Sequence, residues 1–174
     1  AYRLNYEGSI GKDTPYYVLP YITTMGQSYD RDGMGGFRTI RGLMRNRVQG
    51  LDMASYNAEL RWRFVSFALW NQNIALGLNA FSDGTMVTRA FDMSFSRTEA
   101  DFSSREEYLS ARSEYDAYMD RGLDSDRPHI TVGAGFRFIM NQNFIVCLEY
   151  GKPVGKYHKQ DGNGAFYINT GYLF

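Results

Sequence analysis

The residues best suited to chemistry are concentrated in one short stretch, Gly35-Gly36-Phe37-Arg38-Thr39-Ile40-Arg41-Gly42-Leu43. It neither alternates like a strand nor repeats like a helix, and it is too rich in glycine and arginine for a buried core element. A glycine pair reaches backbone conformations that other residues resist. A guanidinium set between turn glycines is a rigid fork that matches carboxylates. The stretch therefore predicts a structured loop that docks onto acidic side chains. Other chemical groups are sparse. Asp30 and Asp32 look like the opening of a calcium loop, but the bidentate acid that such a loop needs is not at the required spacing. His129 and His158 have no metal-ligand spacing around them, and no serine sits in a nucleophile elbow. The expectation is a protein with no catalytic residue, no metal and no cofactor.

The elements that must position this loop are strands. Tyr56, Ala58, Leu60, Trp62 and Phe64 share one face, while Asn57, Glu59, Arg61 and Arg63 share the other. Ile74, Leu76, Leu78 and Ala80 repeat the pattern, with Ala75, Gly77, Asn79, Phe81 and Asp83 opposite. Near the C-terminus, Ile130, Val132, Ala134, Phe136 and Phe138 alternate with Thr131, Gly133, Gly135 and Arg137. Phe144, Val146, Leu148 and Tyr150 then alternate with Ile145, Cys147, Glu149 and Gly151. Phe166, Ile168, Thr170, Tyr172 and Phe174 form the last apolar row. Weaker strand signals cover Tyr2 to Gly8 and, beyond a turn at Gly11-Lys12-Asp13-Thr14-Pro15, Tyr16 to Thr24, where Pro20 removes a ladder donor.

An apolar face of this kind is a core in a soluble sheet and a lipid-facing surface in a membrane barrel. Periodicity alone cannot choose between them, but connection lengths can. Trp70-Asn71-Gln72-Asn73 and Met140-Asn141-Gln142-Asn143 are short turns. Residues 25–52, 89–128 and 152–164 are long connections that alternate with them. That asymmetry belongs to outer-membrane barrels, with short periplasmic turns and long outer loops. Within 89–128, Ser104 and Glu107 have capping-box spacing, and Tyr108, Ala111, Tyr115, Tyr118 and Met119 fall on one face of a helix from about Arg105 to Asp120.

Composition agrees with strands: the chain of 174 residues holds 14 tyrosines and 12 phenylalanines. With 19 basic and 19 acidic side chains, nothing in the bulk charge recommends nucleic acid as a partner. The lone Cys147 reads as a small packing residue. No apolar run reaches the ~20 residues of a membrane-spanning helix. Because the chain opens on Ala1, it is expected to be processed or to be a piece of something longer.

With these features in place, the chain resembles the BamA/TamA superfamily of outer-membrane proteins, the bacterial surface antigens, and most resembles versions found in Bacteroidota. Gly36-Phe37-Arg38-Thr39-Ile40-Arg41-Gly42-Leu43 is similar to the family's Val/Ile-Arg-Gly-Phe/Tyr motif in the sixth outer loop, with Leu43 in place of the usual aromatic. Asn57-Ala58-Glu59-Leu60-Arg61 and Phe81-Ser82-Asp83-Gly84 resemble the strands that follow it. Gly171-Tyr172-Leu173-Phe174 is similar to the C-terminal insertion signal.

The resemblance implies an all-β, transmembrane antiparallel β-barrel, with residues 1–174 forming the last seven or eight strands of a sixteen-stranded barrel. Residues 25–52 would be a long outer loop folded inward, and 89–128 a long outer loop carrying the short helix. Arg41 and Gly42 of the loop would lock onto Glu59 and Asp83 on the lumen wall. Gly171, Tyr172 and Phe174 would supply the insertion signal and part of a gate strand. The implied function is assistance to insertion of outer-membrane proteins, or passage of polypeptides through a lateral seam, in the outer membrane of a Gram-negative cell. The implied partners are outer-membrane lipid, lipopolysaccharide, client outer-membrane proteins and other subunits of an assembly machinery. Lys152, Lys156, His158 and Lys159 make the last loop basic; a solvated outer loop is the leading reading of it, with contact to lipopolysaccharide phosphates as the alternative. The alternatives are an anchor or translocator barrel of a larger surface protein and a soluble lipid-binding β-barrel. An acid placed at Leu60 or Leu78 should impair membrane insertion more than one at Asn57.

Overall fold

Strict alternation over long stretches produces long strands here. A computed structural model of the chain describes residues 1–8, 10–11, 33–90, 95–122, 127–141, 143–155 and 161–170. They form one six-stranded antiparallel sheet in sequence order: β1 (Tyr2–Glu7), β2 (Asp52–Leu69), β3 (Gln72–Arg89), β4 (His129–Met140), β5 (Phe144–Val154) and β6 (Ala165–Thr170). Among the described residues, one α-helix, α1 (Arg105–Gly122), lies in the connection between β3 and β4, after a short 3-10 turn at Glu99–Asp101. The fold is all-β, and β1 and β6 are its edges among the described residues.

Two features differ from the sequence reading. β2 begins at Asp52 and runs to Leu69, well beyond the expected Tyr56 to Phe64. It continues past a register shift between Arg63 and Val65, so the alternation breaks while the pairing does not. β1 also pairs directly with β2, from Tyr2 opposite Ala58 to Glu7 opposite Met53. The connection between these neighbours is therefore the long one, within which most of the expected turn at Gly11-Lys12-Asp13-Thr14-Pro15 lies outside the described residues. The expected strand from Tyr16 to Thr24, the Asp30 and Asp32 pair, Lys156, His158, Lys159, and the terminal Gly171, Tyr172 and Phe174 lie outside the described residues.

The short turns have a local cause. Trp70 and Asn71 both take positive φ, 46° and 62°, the pairing that a two-residue type I′ hairpin requires. The next turn leans on it: the Asn141 backbone N–H donates to the Asn73 carbonyl at 2.8 Å, and the Asn73 N–H donates to Asn141 Oδ1 at 2.9 Å. The helix is capped by Ser104, whose Oγ accepts the Glu107 N–H at 3.2 Å. The returning arm goes to a different donor than expected, since Glu107 Oε2 accepts the Ser103 N–H at 3.1 Å. Tyr108 and Tyr115 pack against Phe95, with ring centroids 6.0 and 5.3 Å apart. Tyr108 and Tyr115 of the helix's apolar stripe thus pack inside their own connection.

The two faces of the sheet are sharply different. One carries Leu60, Trp62, Leu78, Ile130, Val132, Phe136, Leu148, Phe166 and Ile168, all exposed, with Leu60 at 74% and Trp62 at 63%. The other buries Asn57, Glu59, Asn79, Asp83, Thr85, Thr131, Arg137 and Glu149 beneath the segment 33–51. An apolar cluster of Ala75, Ile139, Ile145 and Cys147 closes this covered face at the short-turn end, where Cys147 is a packing residue.

Candidate functional site

The covering segment holds its own shape before it meets the sheet. Met34 and Val48 exchange backbone hydrogen bonds at 2.8 and 3.0 Å, and Thr39 Oγ1 bonds both the N–H and the carbonyl of Gly35 at 2.8 and 3.0 Å. Met34, Ile40, Leu43 and Val48 pack on Met53 of β2 and Val87 of β3. Leu43 therefore fills a buried apolar site where an aromatic was the resemblance's norm. This seating turns Arg41 toward the strands while its neighbour Ile40 anchors the loop.

Arg41 is completely buried, and its guanidinium is shared among three carboxylates. Nε donates to Asp83 Oδ2 at 2.8 Å and Nη2 to Asp83 Oδ1 at 3.0 Å, a bidentate fork. Nη1 donates to Glu59 Oε2 and to Glu149 Oε1, both at 3.1 Å. The Arg41 backbone N–H reaches Asp83 Oδ2 at 3.1 Å, so the acid grips main chain and side chain together. Arg41 Cζ lies over the Phe81 ring, 3.6 Å from its centre, a desolvated cation–π contact. Burial alone lowers the Arg41 pKa. Hydrogen bonding to Asp83 and the charges of Asp83, Glu149 and Glu59 more than reverse this, so the net shift is upward and the side chain stays cationic.

Around this clasp a second ring balances the charge. Arg137 Nη2 binds Glu59 Oε1 and lies 3.6 Å from Glu149 Oε1, and Arg61 Nε donates to Glu59 Oε1 at 2.9 Å. Three carboxylates thus face three guanidiniums. Asn79 Nδ2 bridges Glu59 and Glu149 at 3.2 and 2.7 Å. Asn57 Nδ2 holds the loop at the Thr39 carbonyl, 2.6 Å away, while its Oδ1 accepts from Arg3 Nε at 3.0 Å. An aspartate at 57 would lose the donor to Thr39, so this position is not the mild contrast to Leu60 and Leu78 that its polar face suggested.

Gly42 has φ of +96°, and a Cβ there would sit 2.8 Å from the Gly151 carbonyl carbon. A Cβ on Gly151 would meet the Gly42 nitrogen at 2.9 Å. The loop backbone lies directly on the backbone of β5, and both glycines are needed for the approach. Gly151→Ala is expected to destabilise the protein by about 1–3 kcal/mol through overpacking, read as a lower urea midpoint. An unchanged midpoint would mean that the loop can lift off β5 at no cost.

The structure brings Arg41, Gly42, Glu59 and Asp83 together, as described above. Sequence reasoning did not nominate Glu149, Arg137, Asn79, Phe81, Gly151 or Tyr167. Glu149 had a usable signal, because it is an acid at an inward position of an otherwise apolar strand. His129 also gained a partner: its Nδ1 lies 2.7 and 2.8 Å from the two oxygens of Asp161, and Arg47 Nε is 3.6 Å from the same acid. This buried group joins the covering loop to the connection before β6. No group of three or more His, Cys, Asp or Glu side chains among the described residues could hold a metal ion. Compared with models of known protein families, with curated proteins and with solved structures, the chain finds no match.

Proposed function

We propose that this chain is part of an outer-membrane β-barrel of the assembly and translocation type. On this reading the exposed apolar face meets lipid, and the covered polar face lines the lumen. The observation that carries it is the clasp: Arg41 of a folded-in loop, fully buried among Glu59, Asp83 and Glu149, on the sheet face opposite Leu60, Trp62, Leu78 and Phe136. A soluble sheet would place the apolar row in its core and leave the charges to water. Here the charges are buried and the apolar row is open.

Dimensions and parity support the same reading. β4 and β5 have 12 and 11 residues, and at about 3.3 Å per residue and a tilt near 45° such strands cover the ~25 Å apolar band of an outer membrane. The strand ends joined by the short connections lie at one end of the sheet, and those joined by the long connections at the other. The work of such a protein is mechanical. Its polar lock holds the loop inside, and strand edges of the sheet offer backbone groups to an incoming strand. Outer-membrane lipid and lipopolysaccharide would surround it, and client barrels or other machinery subunits would be its partners.

Two measurements test this. The protein is expected to require detergent for extraction and to migrate faster on gels unheated than boiled. Recovery in the aqueous fraction would overturn the barrel. Vesicles carrying it should then fold a small outer-membrane barrel faster than empty vesicles. A heat-modifiable protein that gives no acceleration would be an anchor or translocator of a larger surface protein instead.

A further inference from the structure

The polar network does not end at the lock. Among the described residues β6 is an edge strand, and two successive inward side chains on it, Tyr167 and Asn169, both reach the clasp. The backbone N–H of Gly42, the residue after Arg41, donates to the Tyr167 hydroxyl at 2.8 Å. Asn169 Nδ2 donates to Glu149 Oε2 at 3.2 Å, while the other oxygen of Glu149 accepts from Arg41 Nη1 at 3.1 Å. Two routes therefore run from one guanidinium to one strand, through the main chain of the loop and through a shared carboxylate.

We propose that Tyr167 and Asn169 couple the Arg41 clasp to the edge strand β6, so that the lock and the strand loosen together. The physical argument is local. The Arg41 N–H and guanidinium both bind Asp83, so withdrawing the side chain also frees the 40–41 peptide, and the adjoining 41–42 peptide, which carries the Gly42 donor to Tyr167, loses its anchor. It also leaves Glu149 without one of its donors, and with it the fixed acceptor of Asn169. Among the described contacts, β6 then keeps its backbone ladder to β5, whose register spans Val146 opposite Thr170 to Gly151 opposite Ala165. Coupling of this kind is reciprocal: whatever frees β6 weakens the clasp by the same factor. The inference rests on the proposed assembly role for its purpose, since a loosened edge is what an incoming strand can pair with. Tyr167 and Asn169 are positioning residues, acting through the loop and through Glu149.

Hydrogen exchange on the full-length protein in detergent micelles tests the coupling. The comparison takes wild type, Tyr167→Phe, Arg41→Lys and the double variant. Tyr167→Phe keeps the ring and removes the acceptor. It is expected to raise exchange about threefold to tenfold over residues 165–170, and by a similar factor over residues 38–44. Arg41→Lys, which alters no atom of β6, is expected to raise exchange over 165–170 as well. The double variant should fall short of the product of the two single effects. The proposal is overturned if Arg41→Lys leaves 165–170 at the wild-type rate, or if the two effects multiply. Should Arg41→Lys fail to fold, unchanged protection over 38–44 in Tyr167→Phe overturns it by itself. No client is present in this measurement, so paired exchange effects in a protein that speeds no client folding would keep the coupling and reject the assembly role.

Discussion

Arg41→Ala is expected to lower the unfolding free energy by about 3–5 kcal/mol, the cost of leaving buried charges without their partner. The loss falls on Asp83 first, because that acid receives the Arg41 backbone N–H and two guanidinium nitrogens at 2.8 to 3.1 Å. Glu59 and Glu149 retain Arg137, and Glu59 also retains Arg61, so they are less exposed to the change. Arg41→Lys should lie between wild type and Arg41→Ala, since an ammonium keeps the charge but cannot form the fork. Arg41→Ala/Asp83→Asn should recover part of the loss, because a neutral amide needs no counter-charge. Urea unfolding in lipid vesicles measures all three. An Arg41→Ala protein within about 1 kcal/mol of wild type, smaller than any buried-pair loss, would mean that water replaces the guanidinium and that the clasp is not a lock.

Leu78→Arg has the second-largest expected effect, and the environment decides its size. Leu78 lies on the open face, 44% exposed. If that face meets water, an arginine there should shift stability by no more than about 0.5 kcal/mol. If it meets the middle of a bilayer, the cost is about 2–4 kcal/mol. We expect the larger value in vesicles, with slower insertion. Its β4 partner in the register is Phe136, on the same apolar surface, so Phe136→Arg should behave alike. A negligible effect at both positions would return the open face to water and remove the basis for a barrel.

Much of the architecture was written in local patterns. Alternation over Tyr56 to Phe64 and Ile74 to Ala80 identified strands and sorted their side chains into two faces, because successive side chains on a strand point to opposite sides. The helix start was legible from Ser104, whose hydroxyl does cap it. Local patterns failed where the deciding contact was distant. Asn57 and Asn79 read as ordinary polar positions, yet one holds the loop backbone and the other bridges two acids. The N-terminal strand was legible too, but a weak alternation does not say which strand it will pair with, and the structure sets it beside β2.

By itself, the sequence determined which segments become strands, which side chains share a face, and that an arginine between glycines would seek carboxylates. Only the tertiary structure decided which carboxylates those are. Glu149 stands 108 residues from Arg41, and Tyr167 stands 125 from Gly42. Their meeting depends on strand register and on how deeply the loop seats against Gly151. A period of two is also unchanged when the sheet is turned over, so alternation sorts residues into faces but cannot say which face is buried. That choice is made by the loop: residues 33–51 cover the charged side and leave the apolar side open.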